Sequence, residues 1–91
     1  MSKILVEKAI PQERIDQLDI KRWPVWEKEV SCFPWTYSDQ ETCLLLAGKV
    51  TVTADSGESV TLQAGDLAIF PAGLSCTWDI TENLRKHYHF D

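Results

Sequence analysis

From Trp23 to the C-terminus the chain is cut into segments too short to be helices. Turn signals stand at Gly48-Lys49, Asp55-Ser56-Gly57, Ala64-Gly65-Asp66 and Pro71-Ala72-Gly73. Punctuation roughly every eight to twelve residues, with period-two alternation between, is the pattern of a β-sandwich or small β-barrel. The clearest hairpin pairs Val50 to Ala54 with Ser59 to Leu62 across Asp55-Ser56-Gly57. β-Branched residues fill both strands, and Gly57 can take the positive φ that the turn needs. Ahead of the barrel, Ile4 to Ala9 reads as a short strand, and Pro11-Gln12-Glu13 opens a helical turn with Ile15 and Leu18 on one apolar edge. Proline suits the first helical position and an acid suits the first turn. The expected organisation is one domain over residues 1–91, with a strand and short helix in 1–22 and the barrel in 23–90.

Ninety-one residues give room for one core, small enough that its stability leans on a partner subunit. Nine basic against fourteen acidic residues leave a net charge of −5, and the basic clusters Lys21-Arg22 and Arg85-Lys86 are short. No phosphate-tracking surface is indicated, so no nucleic acid is expected as a partner. The opening MSKILVEKAIPQ carries an apolar run too short for a secretion signal or a membrane span. The expectation is a cytoplasmic chain without membrane association. Cys32, Cys43 and Cys76 are odd in number and lack CxxC spacing. They read as reduced thiols and small buried hydrophobes, not as a disulfide framework or zinc knuckle.

Two spaced motifs narrow the fold. Glu41 is followed after six residues by Gly48; Gly65 is followed by Pro71-x-Gly73 and then Cys76, with a hairpin of suitable length between. Together and in this order they resemble the two cupin motifs. The segments FPWTY, ETCLLLAGKVTVT, AGDLAIFPAGLSCTW and the terminal RKHY make the chain similar to the small single-domain cupins of the Cupin_3 (DUF861) group. That group is related to the C-terminal part of the ethanolamine-utilisation protein EutQ and, more distantly, to ureidoglycine aminohydrolases. The resemblance spans roughly Trp23 to Phe90. It implies an all-β double-stranded β-helix, the jelly-roll cupin barrel, with a short N-terminal helix.

In cupins that bind metal, His-x-His ahead of the Glu and a third His in the second motif complete a site of three histidines and a carboxylate. The matching positions here hold Trp35, Tyr37, Glu41 and Cys76. An indole has no lone pair to give, and a phenol ligates only as phenolate, against an unperturbed pKa near 10. The expectation is therefore no cofactor, with at most a weak divalent ion on Glu41 and Cys76.

Period two places Trp35 with Tyr37, Glu41 with Cys43, and Cys76 with Trp78 and Ile80. Under the cupin alignment these faces point inward, making a pocket with an aromatic wall, one carboxylate and two thiols. Glu41, partly desolvated there, suits general acid or base work; the alternative is that it only accepts hydrogen bonds from Tyr37 or Trp35. For Cys43 and Cys76, core filling outweighs a nucleophilic role, because no His is spaced to sit beside either thiol. On the last strand either Lys86, Tyr88 and Phe90 or His87 and His89 face inward. Relatives ending in Arg-Lys-x-Tyr favour Lys86 and Tyr88, with Lys86 pairing Glu41 or receiving an anionic ligand group. Trp23 and Trp26 read as lids over an open barrel end rather than sugar-stacking platforms.

The candidate catalytic residues are thus Glu41 and Lys86, and the candidate ligand contacts are Trp35, Tyr37, Cys43, Cys76, Trp78 and Tyr88. The functional expectation is a cupin that binds a small molecule, with metal-independent catalysis through Glu41 as one form of it. The alternatives are a non-catalytic binding or accessory module, for instance for carbohydrate, a metal-dependent enzyme with an atypical Glu/Cys site, and a structural protein with a filled barrel. The run Thr42 to Ala47, TCLLLA, is apolar on both faces, so its outer face needs cover. Part of that cover is expected from the N-terminal segment and part from a second copy, in a homodimer.

Overall fold

The computed structural model describes residues 3–91. Seven strands form one antiparallel sheet that folds over on itself: β1 (Leu5–Glu7), β2 (Val25–Lys28), β3 (Ser31–Thr36), β4 (Glu41–Ala54), β5 (Ser59–Gln63), β6 (Leu67–Phe70) and β7 (Ser75–Phe90). A short helix α1 (Gln12–Gln17) and a 3₁₀ turn (Ile20–Arg22) lie between β1 and β2. Pro11 caps α1, one position earlier than the sequence suggests.

The two long strands organise the barrel. β4 and β7 pair with each other from Ala54↔Cys76 out to Glu41↔Phe90. At one end β6 adds to β4 and β2 to β7; at the other end β5 adds to β4 and β3 to β7. Each long strand therefore serves both walls of the jelly roll. β1 extends the edge through β6, so the N-terminal segment is part of the sheet rather than an appendage to it.

Gly48 is where the walls meet. The sequence reading puts a turn at Gly48-Lys49, but β4 runs through it as a bulged bend, with register shifts between Leu45 and Val50. On β4 the buried face switches from Glu41, Cys43 and Leu45 to Val50, Val52 and Ala54, odd positions giving way to even ones. An inserted bulge residue does this, since side chains alternate strictly along a strand. Gly48 has φ +92°, and a Cβ there would lie 2.3 Å from the Asn83 carbonyl oxygen of β7. No side chain fits.

The β4–β5 hairpin forms as expected, with Thr53 opposite Ser59 and Gly57 at φ +100°. The inward residues of β4 and β7 build the main core with Leu62, Phe70 and Leu74. A second cluster lies outside the barrel wall, where Ile20, Leu44 and Leu67 are buried under Ile15, Leu18 and Trp23. This is the expected N-terminal cover for TCLLLA, and it reaches Leu44. Leu46, on the same strand, is 39 % exposed. No helix among the described residues is long and apolar enough to cross a membrane.

Candidate functional site

Along β7, where β2 and β3 add to it in turn, opens a cavity of about 190 Å³ lined by Trp26, Phe33, Trp35, Tyr37, Glu41, Trp78, Lys86, Tyr88 and Phe90. Strand pairing explains the company these residues keep. Trp26 lies opposite Lys86, Phe33 opposite Trp78, and Glu41 opposite both Phe70 and Phe90. Tyr37, just beyond β3, is pinned by backbone bonds: its N–H donates to Leu74 O at 2.8 Å, and its carbonyl accepts from Gly73 N–H at 2.7 Å.

The rings form a continuous wall. Tyr37 stacks on Phe70 at 5.3 Å, Phe70 tilts against Trp78 at 5.4 Å, Trp78 stacks on Phe33 at 6.5 Å, and Phe33 meets the edge of Trp26 at 6.4 Å. These separations fall within the range in which aromatic pairs attract beyond their burial. Trp35 and Phe90, 48 % and 44 % exposed, form the rim.

Three polar groups meet at the floor. The Tyr37 hydroxyl donates to Glu41 Oε1 at 2.6 Å, and Lys86 Nζ donates to Glu41 Oε2 at 2.6 Å. Both charged side chains are buried. The ammonium also lies 4.3 Å from the ring centre of Trp78 and 4.9 Å from that of Trp26, inside the distance for cation–π attraction. Burial and the adjacent Glu41 carboxylate hold the Tyr37 phenol far above its ordinary range, so it stays a neutral donor.

The structure brings Trp35, Tyr37, Glu41, Trp78, Lys86 and Tyr88 around one cavity. It does not bring Cys43 and Cys76 to the lining: both are buried in the core beside it. Alternation does put them on the inward faces, but both are buried and neither is among the residues that line the cavity. Burial pushes the Cys43 thiol up to about 12, and burial likewise raises Cys76. Neither is primed as a nucleophile. The Trp78 indole N–H pulls Cys76 partly back, yet it has no hydrogen-bond partner of acceptable geometry. On β7 the inward set is Lys86 and Tyr88. His87 Nδ1 sits 2.9 Å from Trp23 O, and His89 stacks on Trp23 at 5.3 Å. Trp23 and Trp26 therefore part company, one packing outside the barrel and the other walling the cavity.

Trp26, Phe33 and Phe90 are the lining residues that sequence reasoning left out of the site. Phe33 and Phe90 had a signal, being two residues from Trp35 and from Tyr88 respectively. For Trp26 the sequence offers only a lid over the barrel end, since its place in the wall depends on the register of β2 against β7.

A cupin metal does not fit this floor. Both Glu41 oxygens are engaged, an ammonium holds the position beside the carboxylate, and Tyr37 cannot supply a phenolate. Cys76 is not among the cavity residues. No cluster of three His, Cys, Asp or Glu side chains occurs among the described residues.

Fold and site together define a cupin barrel whose ligand set is replaced by an aromatic cage around an ion pair. The EutQ-like cupin domain model of the Cupin_3 family matches residues 15–88, and the chain belongs to that family. Among solved structures, a DUF861 family protein from Thermotoga maritima is 45 % identical, with a TM-score of 0.93 over 98 % of this chain and 100 % of that one. A putative ethanolamine utilization protein Q from Salmonella typhimurium matches 96 % of this chain and 68 % of its own at 20 % identity, TM-score 0.67. The EutQ protein of Clostridium difficile matches 98 % and 68 % at 19 % identity, TM-score 0.68. These two likenesses concern the fold. A search of curated proteins finds no match.

Proposed function

We propose that this cupin binds a small, neutral, partly apolar metabolite in the aromatic cavity, its polar group meeting the Glu41–Lys86 pair and its carbon skeleton lying on the rings. The observation that carries this reading is the Tyr37–Glu41–Lys86 cluster at the floor of an open cavity. A barrel that served only as structure gains nothing from burying an ion pair beside empty space, since burial of charge costs more than apolar filling. At about 190 Å³ the cavity is smaller than the roughly 300–1,000 Å³ that takes drug-sized molecules, so a ligand of metabolite size fits. Its lining holds one positive and one negative side chain, already paired, which favours an uncharged guest.

The test is a panel of small aldehydes, ketones, alcohols, sugars and carboxylates, read by tryptophan fluorescence and thermal shift. A true ligand at a hundred times its dissociation constant adds about 2.7 kcal/mol, or roughly ten degrees or more for a domain of this size. Neutral members are expected to shift both signals. A panel in which only carboxylates bind, or none does, sinks the reading.

A second reading, acid–base catalysis without a transition metal, rests on the 2.6 Å contact between Glu41 and Lys86, with the Tyr37 hydroxyl holding the other carboxylate oxygen at 2.6 Å. Two further elements complete the proposal. Exposed Leu46 beside the covered Leu44 supports pairing with a second copy, and three free cysteines accord with a cytoplasmic setting.

A further inference from the structure

We propose that Lys86 forms an imine with a small neutral aldehyde or ketone held in the cavity, an inference that rests on the binding reading above and names the chemistry of the ligand. Lys86 is the one lysine that lines the cavity, and its Nζ is held 2.6 Å from Glu41 Oε2 between the faces of Trp26 and Trp78. An ammonium has no lone pair with which to attack. A carboxylate in direct contact can take its proton, which leaves a neutral amine beside a carboxylic acid. The amine adds to the carbonyl carbon, forming the C–N bond, and one proton moves from nitrogen to the former carbonyl oxygen, giving a carbinolamine. Glu41 returns its proton to that hydroxyl, the C–O bond breaks, and water leaves. One ammonium and one carbonyl thus become one iminium and one water, with Glu41 again ionised.

The surroundings suit each stage. The iminium keeps its positive charge where the ammonium had it, facing the same carboxylate and the same two indoles, so the cage that holds Lys86 holds the adduct as well. Tyr37 is a positioning residue: its hydroxyl bonds Glu41 Oε1 and leaves Oε2 aimed at the nitrogen. The aromatic wall has room for the carbon chain of the carbonyl compound and offers a second carboxylate no unpaired cation.

The experiment is reductive trapping. The full chain is incubated with propanal, glyceraldehyde or pyruvate in the presence of sodium cyanoborohydride, and intact mass and peptide mapping locate the reduced adduct. The expected result is a single adduct on Lys86, formed with a neutral aldehyde at least tenfold faster than on any other lysine. Lys86→Arg, which keeps the charge opposite Glu41 but is not a nucleophile, is expected to lose it; circular dichroism checks that variant's fold. Wild-type peptide mapping decides the matter even where the variant does not fold. Modification spread evenly over surface lysines overturns the proposal. A compound that shifts the melting temperature but leaves no adduct at Lys86 overturns the imine and leaves the binding reading standing, whereas absence of both overturns the two together.

Discussion

Among the described residues two carboxylates are buried, each beside a lysine, and the two sites differ in what else holds them. Asp66, in the turn between β5 and β6, accepts from the backbone N–H groups of Ala9 and Gln63 at 2.9 and 3.0 Å and from Lys8 Nζ at 2.8 Å. It ties the stretch after β1 to the barrel. Glu41 accepts only from side chains, and those face a cavity. Lys8 is 58 % exposed, whereas the Lys86 side chain is 7 % exposed. A buried acid satisfied by backbone donors is fixed architecture. One satisfied by side chains that line an opening can exchange partners when a ligand enters.

The sharpest way to break this contrast is Lys86→Met, which leaves Glu41 buried without a counter-charge. Removing one partner of a buried pair costs about 3–5 kcal/mol. Urea unfolding is expected to show a loss of that size, and the double variant Lys86→Met/Glu41→Gln is expected to regain most of it. Equal losses in single and double variants would show that packing by the lysine stem, not charge, is what the site needs.

Asp66→Asn should cost less, about 1–3 kcal/mol, because the amide still accepts one hydrogen bond while losing the charge. It should leave ligand binding in the cavity unchanged. The same residue sets an acid dependence. Burial alone would raise the Asp66 carboxyl, but Lys8 and the backbone donors of Ala9 and Gln63 outweigh it and hold the group below the usual carboxylate range. The unfolded chain therefore binds this proton at a higher pH than the native one. Asp66's contribution is complete above the unfolded value, about 3.9, and fades as pH falls from there through the lower folded value. Melting temperatures measured across that window should fall more steeply for wild type than for Asp66→Asn.

The smallest effect is expected from Lys8→Ala. An ion pair with one exposed partner contributes about 0–1 kcal/mol, and added salt should erode even that. A loss comparable to that of Lys86→Met would erase the distinction between the two sites.

Much of this was legible beforehand because it is local. The β4–β5 hairpin follows from its turn and its β-branched residues, and the Glu41…Gly48 and Gly65…Cys76 spacings carry the barrel. Alternation alone puts Lys86 and Tyr88 on one face against His87 and His89, but choosing between the faces needed the resemblance. What local rules missed is where strands meet. Gly48 looks like a turn because glycine marks both turns and bulges, and only its closeness to Asn83 tells which. Trp26 enters the cavity through the pairing of β2 with β7, and Cys43 and Cys76, though on inward faces, are buried away from its lining. Depth along a barrel is a property of several strands together, and no single strand's periodicity contains it.

The shared strands have a consequence for the order of folding. The pairing of β4 with β7 runs from Ala54–Cys76, the closest in sequence, to Glu41–Phe90, the most distant, and is expected to zip in that direction. Loop-closure entropy rises with each step outward, so the pairs near Ala54 form at the least cost and those near Glu41 close last. The Glu41–Lys86 contact, spanning 45 residues, belongs to the late end. The ion pair is therefore expected to assemble late, and in reverse the Glu41–Phe90 end of this ladder is expected to open before the Ala54–Cys76 end.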